Sequence, residues 1–159
     1  MIAWIVLAAS QGQPLSTVDP AFQLASTMLG GVWRGTVGKS TKIEYRFTLE
    51  NNGTMIVGRG LIGVGTKHPL PARAALGWDA DAKKVYYLDQ HGSDTVYFGH
   101  VTRDGNDLLF DFNGLVGDTG HYLSREAFGN GTYEGTMKSE TNGVWTDLGF
   151  DMRMVHASR

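Results

Sequence analysis

From residue 41 onward, hydrophobic and polar positions alternate. In "TKIEYRFTLE", residues 41–50, Ile43, Tyr45, Phe47 and Leu49 share one face, and Lys42, Glu44, Arg46, Thr48 and Glu50 share the other. A period of two is the spacing of a strand with one buried and one solvated face. A short strand, "VWRGTVG", precedes it. "TMIVGRGLIG", "RAALGW", "VYYLDQ", "TVYFGHVTR", "LLFDFNG", "HYLSREAF", "TYEGTMKSE" and "VWTDLGFDMRMV" follow. Between them stand "NNG", "DADAKK", "HGSD", "DGND", "VGDTG", "GNG" and "TNG", with a longer loop over residues 63–72. Short links rich in Gly, Asn and Asp join antiparallel neighbours. The pattern predicts about ten strands.

One segment breaks the alternation. In "TVDPAFQLASTMLGG", Asp19 is a good N-cap and Pro20 suits the first helical position. Phe22, Leu24, Ala25, Met28 and Leu29 recur at helical spacing, and Gly30-Gly31 stops the run. A helix over about residues 20–29 is expected.

A single antiparallel sheet of this many strands curls, and closing it removes both exposed edges. The first strand then pairs with the last. The predicted fold is all-β: a roughly ten-stranded antiparallel up-and-down β-barrel, with one short N-terminal helix over one end. Closure brings Trp33, in "LGGVWRGTVG", beside the last strand. Arg153 is expected over the Trp33 ring, a cation–π contact sealing the barrel end.

Residues 17–159 read as one domain. Residues 1–16, "MIAWIVLAASQGQPLS", hold a short apolar run, then Ala8-Ala9-Ser10, then polar residues. They read as a signal-peptide remnant or a disordered N-terminus; a signal peptide places the protein in the periplasm or the medium, and without it the chain is cytoplasmic. The apolar run is too short for a transmembrane anchor.

Composition changes this picture little. Hydrophobic residues make up 42% of the 159 and charged residues 19%, with a formal net charge of -2. This is an ordinary globular balance, and no basic stripe suggests nucleic acid. The chain has no cysteine, which removes disulfides and thiolate chemistry. Its 22 glycines suit many tight turns.

A helix, Gly31-Val32-Trp33 opening the first strand, about ten strands and an arginine on the last strand resemble the calycin superfamily. That group includes lipocalins, fatty-acid-binding proteins, nitrobindin-like barrels and uncharacterised bacterial lipocalin-like proteins. In it, the matching tryptophan and arginine pack together, which the resemblance implies for Trp33 and Arg153. The strand count is similar to the fatty-acid-binding and nitrobindin-like barrels. Gly31, Trp33 and Gly35 also match the nitrobindin-like glycine-tryptophan motif, while its last glycine falls one position late, at Gly38. Nitrobindin-like proteins bind haem through a late histidine. Here His156 is read as lying past the last strand.

A barrel of this size holds side chains or one small ligand. The inward faces assigned from the alternation carry Tyr45, Phe47, Arg59, Trp78, Tyr87, Tyr97, Phe110 and Phe112. These either pack a core or line a ligand site. An inward Arg59 suits a carboxylate ligand. Of the five histidines, His68 and His91 read as exposed turn residues. His100 and His121 are the candidate haem ligands. No metal-ligand spacing and no Gly-x-Ser-x-Gly elbow occurs. Asp79, Asp81, Asp104, Asp107 and Asp118 read as turn carboxylates.

Three functions follow. The first is a non-catalytic carrier of a small hydrophobic or amphipathic ligand, with no resident cofactor. The second is a haem-binding barrel acting on nitrogen oxides. The third is a packed barrel acting through its surface, for example as a homodimer through "VYYLDQ".

Overall fold

A computed structural model of the protein describes residues 18–157. The signal-peptide reading of residues 1–16 lies outside the described residues. Helix α1 spans Pro20–Ala25 and runs into a 3-10 turn, Ser26–Met28. Ten strands follow: β1 Val32–Val37, β2 Thr41–Glu50, β3 Met55–Ile62, β4 Leu70–Asp79, β5 Lys84–His91, β6 Thr95–Asp104, β7 Asp107–Val116, β8 His121–Gly129, β9 Thr132–Thr141 and β10 Val144–Ala157. Each pairs antiparallel with its chain neighbours, and β1 pairs with β10, so the sheet closes into a barrel. The predicted all-β ten-stranded barrel with one short helix is the observed fold. Among the described residues, no helix is long and apolar enough to cross a membrane.

The helix is shorter than the apolar spacing predicts. Asp19 caps it as expected, its Oδ1 accepting from the Ala21 N–H at 2.7 Å. Ser26 Oγ then donates to the Gln23 carbonyl at 2.6 Å and Thr27 Oγ1 to the Leu24 carbonyl at 2.7 Å. Such hydroxyls compete for helical carbonyls, and the last turn tightens to 3-10. Phe22, Ala25 and Met28 are buried in the core.

Trp33 is a structural plug, 3% exposed. Its Nε1–H donates to the Met28 carbonyl at 2.8 Å, tying β1 to the helical segment. Its ring lies 5.1 Å from those of Tyr133 and His156. The expected Arg153 contact does not form. Arg153 sits opposite Thr36 on the outer face, where its Nε meets Glu134 at 3.3 Å. Strand register decides this, because residues directly opposite one another share a face. Trp33 pairs with His156, and that histidine lies inside β10 rather than beyond it.

At the β9–β10 hairpin, Asn142 and Gly143 both take positive φ, 53° and 78°. That is the signature of a type I′ turn, whose twist matches the flanking strands. Further along β10 the register against β9 shifts between Asp147 and Phe150.

Candidate functional site

The helix end of the barrel is filled and the other end is hollow. A cavity of about 510 Å³ occupies the interior. Met28, from the 3-10 turn, lines it from one side. Leu70 and Leu148, 43% and 47% exposed, line it where β4 and β10 begin, which places the mouth at that end.

Six residues of the predicted set line this cavity: Tyr45, Phe47, Tyr87, Tyr97, Phe110 and Phe112. Their rings form one connected wall. Tyr45 stacks on Phe47 at 5.8 Å, and Tyr87 stands edge-on to Phe110 and Phe112 at 4.9 and 5.5 Å. Tyr97 meets Phe112 at 5.6 Å.

Trp78 and Arg59 do not join them. Trp78 packs against the core and does not line the cavity. It pairs with Val85 near the helix end, away from the mouth. Arg59 points outward and pairs with Glu50 at 2.7 Å. Strand β3 has apolar residues on both faces, so its pattern does not fix its phase. The inward positions are Ile56, Gly58, Gly60 and Ile62, opposite Leu49, Phe47, Tyr45 and Ile43. A Cβ on Gly58 would fall 2.6 Å from the Phe47 ring, and one on Gly60 would fall 2.7 Å from the Tyr45 ring. The two glycines make room for those rings to lie flat over β3. Arg59 is therefore not placed to hold a carboxylate inside the barrel.

The candidate haem ligands also face outward. His100 is exposed, opposite Tyr86 and Asp111. His121 has both ring nitrogens engaged, Nδ1 with Glu140 at 2.6 Å and Nε2 with Asp111 at 2.7 Å. Those two carboxylates hold its pKa above the ordinary histidine value. Its ring rests against Trp145 at 4.9 Å. Neither histidine lines the cavity.

The histidine that does is His91, expected to be an exposed turn residue. It ends β5, half-buried, with Nε2 2.9 Å from Asp89 Oδ2. Burial lowers its pKa, but the Asp89 carboxylate outweighs burial and the net shift is upward. Tyr87 donates its hydroxyl to the same Asp89 oxygen at 2.9 Å. Asp89 is 7% exposed, and its other oxygen, Oδ1, meets no donor.

Glu126 reaches the cavity from β8, flanked on the same face by Ser124 and Tyr122. It is half-buried, and the surface it retains faces the cavity rather than bulk water. Burial and then the nearby Asp89 charge push its pKa up to about 8. The tyrosines around the two acids respond alike. Tyr45, Tyr87 and Tyr133 all have pKa values well above the usual 10, from burial first and from the Asp89 and Glu126 charges second.

A second polar group secures the mouth. Asp118, in the β7–β8 loop, accepts from Tyr122 at 2.7 Å and Tyr97 at 3.3 Å through Oδ2. Its Oδ1 accepts from the Gly120 N–H at 2.7 Å. That backbone bond, followed by the tyrosine bonds, holds the carboxyl below its ordinary pKa. Its own bond to Asp118 pushes Tyr122 up to about 12, with burial adding to it.

Asp89 was within reach of the sequence. Once Tyr87 is placed inward, alternation puts Val85, Asp89 and His91 on the same face. Glu126 was not, because "HYLSREAF" carries apolar residues in both phases. The chain matches no protein-family model and no curated protein in the comparisons made.

Proposed function

We propose that the protein is a non-catalytic carrier that holds one small apolar or amphipathic molecule inside its barrel. The observation that carries this reading is the cavity itself, about 510 Å³ and walled mainly by Phe, Tyr, Met, Leu and Ile side chains. That volume lies within the range of pockets that enclose small molecules. Each methylene buried in such a site contributes ~0.8 kcal/mol of affinity. The hydrogen bonds of Asp118 with Tyr97 and Tyr122 support a wall shaped before a ligand arrives. The closed ten-stranded barrel, its end helix and the plugging tryptophan support the likeness to calycins. His100 and His121 face outward, and the histidine on the wall, His91, has its Nε2 held by Asp89, which supports a carrier over a haem reading.

The test is a fluorescence titration with prodan, a neutral probe that brightens and shifts blue in apolar surroundings. Saturable one-to-one binding is expected, and Ala74→Phe, which fills the cavity from β4, should abolish it. Circular dichroism of the variant confirms that the barrel is intact. Absence of saturable binding by the unmodified chain, or undiminished binding by a folded Ala74→Phe variant, would overturn the reading.

A further inference from the structure

The cavity wall carries more acidic side chains than basic ones. Asp89 and Glu126 both line it, and no lysine or arginine does, among the described residues. Its one basic group, His91, is already engaged by Asp89 Oδ2, which also accepts from Tyr87. Asp89 Oδ1 has no donor at all, although the residue is 7% exposed and projects inward from β5 beside Tyr87. Buried carboxylate oxygens are normally satisfied, so an orphan on a cavity-lining residue marks a place where a donor is missing.

The rest of the wall points to the same kind of partner. Tyr45, Phe47, Tyr87, Phe110 and Phe112 surround the space with aromatic rings, whose faces attract cations and disfavour anions. A carboxylate head would meet two acids and these ring faces, and the one basic group on the wall, His91, is already engaged by Asp89. A neutral hydroxyl can donate a hydrogen bond but cannot balance a carboxylate charge. A protonated amine supplies both the missing N–H and the positive charge, and charge-assisted hydrogen bonds are the stronger kind.

We propose that the cavity selects an apolar molecule carrying a protonated primary or secondary amine, seated between Asp89 and Glu126 with its apolar body against the aromatic wall. This rests on the carrier reading above and names its ligand class. It reverses the carboxylate specificity that an inward Arg59 would have given.

The test compares three straight-chain probes of equal length, decylammonium, decanol and decanoate, by isothermal titration of the full chain at neutral pH. All are kept below their micelle concentrations. Decylammonium should bind roughly ten-fold more tightly than decanol, with decanoate weakest. Asp89→Asn and Glu126→Gln should each erode that preference, read as the ratio of decylammonium to decanol affinity in the same variant. The order of the probes on the unmodified chain is decisive even if a variant fails to fold. If decanol or decanoate binds as tightly as decylammonium, the amine proposal is overturned and the carrier reading stands. If none of the three binds and prodan also fails, both are overturned.

Discussion

The two ends of the barrel are built from the same two-residue alternation and come to opposite results. At the helix end the inward side chains are mostly aliphatic. Ile56, Val85, Leu108 and Met154 meet Ala21, Phe22 and Ala25 from α1 in one buried cluster. At the mouth the inward side chains are long and tipped with polar atoms: Tyr97, Tyr122, Asp89 and His91. Their rings lean on neighbouring walls, and their polar tips bond to Asp89 or Asp118 rather than to one another across the barrel. Closing a sheet into a barrel therefore does not decide whether it is solid or hollow. The choice between aliphatic and polar-tipped residues at the inward positions decides it, together with a helix that plugs one end only.

The contrast is most sharply broken at the solid end. Trp33→Ala removes a buried ring and its bond to Met28, and it should cost ~3–5 kcal/mol of stability, read as a lower urea midpoint. Prodan affinity should change much less than stability, because Trp33 does not line the cavity.

The hollow end should show itself as a pH effect. Glu126 is faced by Asp89 and Tyr87 from β5, Tyr45 from β2 and Tyr133 from β9, and of these groups it has its pKa raised to about 8. Its folded pKa lies above the unfolded value of 4.5, so the native state binds the extra proton between those limits. Stability from this group is complete below the unfolded value and is lost as pH rises toward 8. Glu126→Gln should remove a loss of about 4 kcal/mol across that window, making the variant gain on the parent as pH rises. Urea unfolding at pH 5 and pH 9 measures it. A parent and variant with parallel pH profiles would mean that Glu126 is not held neutral.

The smallest effect belongs outside the barrel. Arg59→Ala breaks an exposed pair with Glu50 and an exposed hydrogen bond to Thr48, so neither stability nor prodan binding should move measurably. A clear loss of binding would put Arg59 at the site after all.

How far the sequence alone reaches follows from the same geometry. Strand β2 was legible, since its charged residues occupy one phase only, and with it came Tyr45 and Phe47. The closed topology followed from strand count and the need to remove edges. Strands β3 and β8 were not legible, because Val57 and Leu61 outside look like Ile56 and Ile62 inside, and Leu123 outside looks like Tyr122 inside. A one-residue error in phase turns a strand inside out. That single ambiguity put Arg59 in the cavity and hid Glu126. Trp33 has Tyr133 and His156 beside its ring rather than Arg153, because pairing within β10 depends on register that the alternation does not specify.

The seam between β1 and β10 also governs how this molecule is made. His156 reaches back to the Gly30 carbonyl at 3.1 Å, across 126 residues of sequence. Val32 finds its partner only in Ala157. During synthesis the outer edge of β1 thus waits, unpaired, for the last strand to leave the ribosome. Folding that depends on such distant pairing is slow, and an open sheet edge is sticky while it lasts. The step to watch in refolding is the joining of that seam, with Trp33 fluorescence reporting the moment at which His156 and Tyr133 close around its ring.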